Sequence, residues 1–318
     1  MAELNFELFN NQLVQQLVGP QDSNLKLIEQ IINVEIGSFG NQISITGDKD
    51  AIEQAKNAIE LLYNKVSRGI DINEQEVKAA LRLCGDGREK EISENLSELV
   101  LKTKKRHIYP RSATQAQYIQ EMMKNELVFG LGPAGTGKTY LAVALAVSMM
   151  LEGKIDKIIL SRPAVEAGEN LGFLPGDLKD KVDPYLRPLY DALYEMLPAE
   201  QVDKKLAIGE IEIAPLAFMR GRTLSNAFVI LDEAQNTTPM QMKMFLTRLG
   251  ENSRMVVNGD LSQIDLPRGV ISGLKDAIDT LTRINGISAV TFSANDVVRH
   301  GLVAKIVKAY EDKKHDEH

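Results

Sequence analysis

The chain has 318 residues, of which 44% are hydrophobic, and a formal net charge of −7. This length predicts about two domains, one of them large. The single cysteine, Cys84, excludes an internal disulfide and favours a reducing compartment. There is no apolar run long enough to span a membrane and no signal-peptide pattern at residues 1–12, so we expect a cytoplasmic protein without membrane contact. An acidic total also means that any nucleic-acid contact must depend on a local basic patch.

The N-terminal domain is predicted to cover residues 1–68. Apolar spacing predicts helices at Asn24–Ile32 and Lys49–Val66, and strands at Val34–Ile36 and Gln42–Thr46. Over nearly all of its length this segment resembles a KH domain, a small α+β fold. The resemblance implies a grip on single-stranded RNA through a GxxG loop between two helices.

The loop at that position is Gly19-Pro20-Gln21-Asp22, with an aspartate where the KH pattern has its second glycine. An aspartate repels phosphate, and residues 1–68 contain nine acidic and five basic residues. The sequence therefore predicts a KH-like fold and leaves RNA binding by it open. Gly37-Ser38-Phe39-Gly40 also spells GxxG, but it lies between two predicted strands and is typical of a hairpin turn.

A charged connector is predicted at residues 69–111, with short helices at Asn73–Leu83 and Ser93–Val100. Its end is basic, which fits either a solvated linker or a contact with a phosphate backbone. The basic residues are Lys102, Lys104, Lys105, Arg106, His107 and Arg111.

A phosphate-binding loop is predicted directly after the apolar strand Leu127–Phe129. The pattern G-x-x-x-x-G-K-[ST] lies between that strand and an alanine-rich helix ending at Gly153, the context in which it binds nucleotide phosphates. Lys138 is expected to reach the β- and γ-phosphates, and the Thr139 hydroxyl to bind Mg²⁺. The alternative is a glycine-rich turn that binds nothing. The candidate nucleotide-binding residues are Gly132, Pro133, Ala134, Gly135, Thr136, Gly137, Lys138, Thr139 and Tyr140.

An α/β domain is predicted at residues 112–310, followed by a charged tail at 311–318. Five apolar strand candidates alternate with helices, which indicates a mainly parallel sheet wrapped by helices. The candidates are Leu127–Phe129, Lys157–Ser161, Phe228–Asp232, Met255–Asn258 and Ala289–Phe292.

Polar residues follow two of these strands. Asp232 and Glu233 end the third strand, where Asp232 is expected to hold Mg²⁺ through water and Glu233 to deprotonate the attacking water. Gln263 follows the fourth strand, and its carboxamide can hydrogen-bond the lytic water or the γ-phosphate. Exposed polar strand ends are the alternative for each.

Residues 112–310 resemble the PhoH-like family. The segments that carry the resemblance are GLGPAGTGKTYLAVALAV, LSRPAVEAGENLGFLPGDLKDKVDPYLRPLYDAL, APLAFMRGRT, VILDEAQNTT, GDLSQIDLP and DVVRH. The ATPase domain of this family is similar to the first RecA-like domain of superfamily 1 helicases. The resemblance implies that Gln115 recognises adenine, and the absence of an N-K-x-D guanine signature also favours ATP over GTP. There is no acidic cluster before the phosphate loop, so we expect no nuclease domain.

Four arginines remain as candidates. The resemblance implies that Arg162 contacts single-stranded nucleic acid and that Arg299 senses the γ-phosphate, a task that suits a guanidinium. Arg220 and Arg222 flank Gly221 in a basic turn that also fits nucleic acid. Surface arginines are the alternative, with Arg299 then pairing with Asp296.

A single RecA-like domain would leave the γ-phosphate exposed, so a neighbouring subunit is expected to complete the site, and the resemblance implies a ring, possibly of six. The sequence therefore predicts a P-loop NTPase with a KH-like domain, using ATP and Mg²⁺ and acting on RNA as an oligomeric ATPase, helicase or translocase. The alternative is an ATP-switched adaptor for a protein partner such as an endoribonuclease or the ribosome. Small-molecule phosphoryl transfer fits less well, because the Asp232-Glu233 pair suits activation of water.

Overall fold

A computed structural model describes residues 2–85, 99–163 and 178–297, without the side chains of residues 178–185 and 295. Its packing divides the chain into two compact units. The first comprises Met1–Leu99 and Pro110–Ala116, and the second comprises Val100–Tyr109 and Gln117–His318. Arg299, the tail at 311–318 and nearly all of the helix expected at Ser93–Val100 lie outside the described residues.

The described residues of the first unit form a three-stranded antiparallel sheet and four α-helices, and the strands run in the order β1-β3-β2. The two predicted helices and two predicted strands are present. A further strand and helix, which were not predicted, precede them. The elements are β1 (Ala2–Glu7), α1 (Asn11–Val18), α2 (Ser23–Ile32), β2 (Glu35–Phe39), β3 (Gln42–Gly47), α3 (Lys49–Ser67) and α4 (Glu74–Gly85).

The core of the first unit includes the helix that the sequence analysis had assigned to the connector. Val77, Ala80, Leu81 and Cys84 of α4 are buried in the same apolar cluster as the side chains of α3. The Gly19–Asp22 turn lies between α1 and α2, and Gly40 lies in the turn between β2 and β3. The turn at Gly19–Asp22 lies where the sequence predicted it, whereas Gly37, Ser38 and Phe39 belong to β2 and only Gly40 of that run lies in the hairpin turn. The KH-like character of the unit stays a prediction.

The second unit contains a six-stranded parallel sheet, which confirms the predicted fold class. The strands run in the order β11-β6-β10-β9-β7-β8. Its main elements are α5 (Ala113–Lys124), which starts in the first unit, β6 (Leu127–Leu131), α6 (Lys138–Leu151), β7 (Lys157–Arg162), α7 (Leu178–Met196), α8 (Ala199–Ala207), β8 (Ile211–Pro215), β9 (Ala227–Leu231), α9 (Pro239–Leu246), β10 (Arg254–Gly259), α10 (Gly273–Leu281) and β11 (Ile287–Thr291). A short hairpin, β4 (Leu101–Lys102) with β5 (His107–Ile108), precedes α5.

Sequence composition explains why the sheet is buried between helices. Strand β9 reads AFVIL and is buried throughout, as expected for a parallel strand covered on both faces. Helix α6 is rich in Ala, Val and Leu, and its residues 141–149 are all buried. Strand β10 separates β6, which leads into the phosphate loop, from β9, which leads into Asp232-Glu233. The carboxyl ends of these three strands therefore meet at one edge.

The described part of the chain contains no helix that is both long enough and apolar enough to cross a membrane.

Candidate functional site

A cleft of about 620 Å³ opens at this carboxyl edge. The phosphate loop forms one side of it, and Gly135 and Gly137 in that loop have φ angles of 83° and 85°, which other residues rarely adopt. Helix α6 begins immediately afterwards, so its amino terminus faces the cleft. The lining residues are Ala134, Gly135, Gly137, Lys138, Thr139, Tyr140, Asp232, Glu233, Gly259, Asp260 and Gln263.

Lys138 is folded back over the phosphate loop. Its Nζ donates to the carbonyl oxygens of Gly132 at 2.6 Å and Pro133 at 2.8 Å, and to Thr136 Oγ1 at 3.3 Å. It is 8% exposed, and burial lowers its pKa, while the carboxylates of Asp232, Asp260 and Glu233 act in the opposite direction. Among the described residues it forms no ion pair, so a buried cation is bound here by neutral oxygen atoms only.

Thr139 and Asp232 meet across the cleft. The Thr139 hydroxyl donates to Asp232 Oδ1 at 2.6 Å. Asp232 is 8% exposed, and burial raises its pKa although the Thr139 hydrogen bond and Arg162 lower it. A buried carboxylate beside a hydroxyl suits Mg²⁺, which prefers oxygen ligands and takes one or two from protein when phosphates supply others. Among the described residues, no group of three or more His, Cys, Asp or Glu side chains is arranged to hold a metal ion.

Glu233 is held from two sides. Arg162 at the end of β7 approaches Glu233 Oε1 at 2.8 Å and Asp232 Oδ2 at 4.0 Å. The Nε2 of Gln235 donates to Glu233 Oε2 at 2.6 Å. Glu233 itself has a φ of 52°, an unfavourable left-handed conformation of the kind found at functional sites. Arg162, predicted to contact nucleic acid, is thus placed on the acidic pair.

Gln263 lies in the cleft, and its carboxamide is oriented by a neighbour. Its Nε2 donates to Asp260 Oδ2 at 2.8 Å, while Asp260 Oδ1 accepts from the Ser262 hydroxyl at 2.6 Å. The side chain of Gln235 joins the two acidic segments, because it accepts from the Asp260 backbone N–H at 3.1 Å and donates to the Gln263 carbonyl at 3.2 Å. Sequence reasoning missed Asp260 and Gln235, although both lie within the motifs GDLSQ and DEAQ.

A buried polar contact supports the floor of the site and was also missed. The Tyr118 hydroxyl donates to Asn258 Oδ1 at 2.5 Å, and burial raises the pKa of this tyrosine. Gly130 leaves room for the pair, since a Cβ there would lie 2.5 Å from Asn258 Oδ1. Asn258 directly precedes Gly259 and Asp260, so this contact fixes the strand that carries the Asp260 segment into the cleft.

Gln115 is placed with the first unit. It is 4% exposed, and its Oε1 accepts from the backbone N–H of Arg111 at 2.7 Å. The Arg111 guanidinium in turn contacts Glu76 Oε1 at 3.4 Å. Recognition of adenine by Gln115 stays a prediction.

The other basic candidates lie away from the cleft lining. Arg222 forms a bidentate ion pair with Glu212, at 2.6 and 2.7 Å, which raises the pKa of Arg222. The pair connects β8 to the following turn. Arg220 is exposed. In the predicted basic cluster, Lys105 Nζ donates to the Tyr194 carbonyl at 2.7 Å and Arg106 pairs with Glu195 at 3.2 Å. Nucleic-acid contacts by these residues stay predictions.

The sheet order, the phosphate loop at a helix amino terminus, and the acidic pair at the same edge define a P-loop nucleotide-binding fold of the NTPase type. A comparison with protein families matches residues 107–311 to "PhoH-like protein". The chain belongs to the PhoH-like family.

Three relatives match between 64% and 98% of the chain. A "PhoH-like protein" of Bacillus subtilis (strain 168) is 52% identical over 98% of this chain and 98% of its own length. One of Mycobacterium tuberculosis (strain ATCC 25618 / H37Rv) is 48% identical over 94% of this chain and 85% of its own length. "Protein PhoH" of Escherichia coli (strain K12) is 48% identical over 64% of this chain and 58% of its own length.

A solved structure also matches: the "Sulfolobus solfataricus SWI2/SNF2 ATPase core in complex with dsDNA", with a TM-score of 0.36 and 14% identity over 62% of this chain and 48% of that one. The fold assignment rests on the strand order and not on this weak likeness.

Proposed function

We propose that this protein is a Mg²⁺-dependent ATPase that acts on RNA as an oligomeric translocase or helicase. The observation that carries the proposal is the position of Glu233. Its carboxylate is held by Gln235 next to Asp232, while Thr139 and Lys138 start the helix across the cleft. A phosphate loop with a metal-binding carboxylate and a second carboxylate beside it suits hydrolysis, because the second carboxylate can take a proton from water.

The side chains divide the reaction among them. Lys138 exchanges its carbonyl partners for the β- and γ-phosphate oxygens. Thr139 and Asp232 would hold a Mg²⁺ ion, which would supply positive charge to these phosphates. Glu233 accepts a proton as the water oxygen bonds to the γ-phosphorus. The bond from the γ-phosphorus to the bridging oxygen breaks, giving ADP and phosphate. Gln263, oriented by Asp260, is placed to hydrogen-bond the water or the γ-phosphate.

The assembly and partner follow from what one such site lacks. A single RecA-like unit leaves the γ-phosphate open on one side, so a neighbouring subunit in a head-to-tail ring supplies the missing surface. Gln115 reads the adenine, and Arg299 is the γ-phosphate sensor. Single-stranded RNA is the substrate that the PhoH-like resemblance favours, and we place the reaction in the cytoplasm.

The test compares ATP hydrolysis by the wild type and by Glu233→Gln, with and without single-stranded RNA. The wild type is expected to hydrolyse ATP only with Mg²⁺, and faster with RNA. Glu233→Gln keeps the shape of the side chain but removes the base, so turnover should fall by a factor on the order of 10² or more while Mg²⁺ and ATP still bind. Near-normal turnover by this variant would place the base elsewhere.

A further inference from the structure

Both carboxylate oxygens of Glu233 are engaged. Oε1 faces the Arg162 guanidinium at 2.8 Å, and Oε2 accepts from Gln235 at 2.6 Å. A general base must offer a carboxylate oxygen to the attacking water, and the Arg162 guanidinium occupies one of the two oxygens of Glu233. In this arrangement Glu233 is positioned for catalysis and at the same time restrained.

The ion pair between Arg162 and Glu233 is weak. The Glu233 side chain is 39% exposed and that of Arg162 is 21% exposed, so water screens their attraction. Gln235 is 1% exposed and is fixed by Asp260 and Gln263, so the second contact to Glu233 is the more rigid one. Loss of the Arg162 contact would free one oxygen and leave the carboxylate in place.

Strand order shows from which direction the pair can be broken. The phosphate-loop strand β6 is separated from β7, which carries Arg162, by β10 and β9. Three strand spacings amount to ~14 Å, with Asp232 and Glu233 in between. A triphosphate on the phosphate loop therefore meets Lys138, whereas Arg162 is approached from the opposite side of the acidic pair.

We infer that Arg162 restrains Glu233, and that a backbone phosphate of a bound polynucleotide strand releases it by taking the guanidinium. This inference rests on the proposed function and gives it a control step. A guanidinium fork matches the oxygens of a phosphate group better than a single contact to one carboxylate oxygen. Polynucleotide binding is thereby coupled to hydrolysis through a direct exchange of ion-pair partners.

The test measures ATP turnover by Arg162→Gln and Arg162→Lys, with and without a uridine oligonucleotide of twenty residues. Arg162→Gln frees Glu233, so its rate without RNA should rise about fivefold, the size expected for an exposed ion pair, and RNA should add nothing further. Arg162→Lys keeps a cation on Glu233 and should retain a low rate that RNA still raises. Lys154→Gln, which breaks a surface pair with Glu152, is the matched control and should behave as the wild type.

A lower rate of Arg162→Gln without RNA, or undiminished stimulation by RNA, would overturn the inference, since Arg162 would then serve the nucleotide or nothing. Equal stimulation of the wild type by polyglutamate would overturn the polynucleotide as the releasing partner.

A binding measurement separates this inference from the ATPase proposal. In the presence of a nonhydrolysable ATP analogue, Glu233→Gln should bind a fluorescently labelled form of the uridine oligonucleotide several-fold more tightly than the wild type. The reason is that Glu233 no longer competes with the polynucleotide for Arg162, and coupling between two sites is reciprocal. Arg162→Gln should bind it more weakly, with a salt slope lower by about 1. Identical affinities of all three proteins would overturn the restraint even if no ATP is hydrolysed.

Discussion

Two buried lysines show how differently the two units use a cation. Lys65 in the first unit is 3% exposed, and its Nζ lies 2.6 Å from Glu76 Oε2, whose other oxygen faces Arg111. Lys138 in the second unit is 8% exposed, and its hydrogen-bond acceptors are two carbonyl oxygens and a hydroxyl. Lys65 has its counter-charge within the fold, whereas Lys138 is arranged for an anion from outside.

The difference teaches how a structural charge can be told from a functional one. Burial costs free energy in both cases, but only an internal partner offsets it in the isolated protein. The acidic side of the cleft repeats the lesson, because Asp232 is buried with a raised pKa and accepts from the neutral Thr139 hydroxyl. Substitutions that remove one charge at a time should therefore have opposite consequences in the two units.

The largest effect on stability is expected from Glu76→Gln. This change removes the carboxylate between Lys65 and Arg111 and leaves a buried ammonium group without its charged partner. Breaking a buried pair from one side typically costs about 3–5 kcal/mol. Urea denaturation, followed by a probe in the first unit, should show this loss.

The control is Glu74→Gln, two residues away on the surface of α4. Glu74 forms an exposed i, i+4 pair with Lys78, so its loss should change the free energy of unfolding far less than Glu76→Gln does. If Glu76→Gln is no more destabilising than Glu74→Gln, the contrast between the two lysines is lost.

Lys138→Ala should have the second largest effect, on binding and not on folding. The variant loses the cation that meets the phosphates, and ATP affinity should fall about 100-fold or more, or ~2.7 kcal/mol. Its unfolding midpoint should not fall as that of Glu76→Gln does, because no ion pair within the described residues is broken. Calorimetric titration with ATP measures the affinity. The control is Lys154→Ala, which removes an exposed ion pair with Glu152. Unchanged ATP affinity would remove Lys138 from the phosphate site.

Local sequence patterns predicted those features of the fold and site that lie within one short segment of the chain. The phosphate loop, the parallel strands and the acidic pair each occupy one short run of residues with a recognisable composition. What the sequence did not provide is the contact across strands. Tyr118 and Asn258 are 140 residues apart, and the insertion of β10 between β6 and β9 is not encoded in their order along the chain.

The same limit explains one other difference. The nucleic-acid contact of Arg162 was implied by the family resemblance and stays a prediction. Its ion pair with Glu233 was not predicted, because Glu233 follows another strand and a neighbouring strand cannot be read from periodicity. Strand β1 and helix α1 were not predicted, although the sequence carries both signals. Leu4, Phe6 and Leu8 alternate with polar residues, and the apolar residues of NQLVQQLV recur at helical spacing.

Tyr118→Phe tests a neutral buried contact against the charged ones. The ring keeps its edge contact with Phe292, at 5.3 Å between centroids, while Asn258 loses its donor. A buried acceptor left without a partner costs about 1–3 kcal/mol, so the second unit should be destabilised by that amount. Tyr194→Phe, which removes an exposed hydroxyl bonded to Asp203 at 2.9 Å, is the control in the same measurement. Equal stability of both variants would contradict the structural importance of the Tyr118 contact.

The smallest effect is expected from Asp232→Asn, which should raise the free energy of unfolding in the absence of nucleotide and Mg²⁺. The amide keeps an oxygen for the Thr139 hydroxyl but removes a buried negative charge, so unfolding should cost more, on the order of 1 kcal/mol at pH 7. The sign follows from the raised pKa of Asp232. The unfolded chain ionises this group more readily than the folded protein does, so ionisation favours unfolding.

This gain should depend on pH in one direction only. Below the ordinary aspartate pKa of about 3.9 the carboxyl group is protonated in both states, and the advantage of Asp232→Asn should disappear. Above the raised pKa of the folded state it should be complete. Urea denaturation in EDTA at both ends of this window measures it, with the exposed Asp203→Asn as control. A variant less stable than the wild type at pH 7 would mean that the fold itself compensates the Asp232 charge, as it does that of Lys65, and the distinction between the two units would fail at its acidic side.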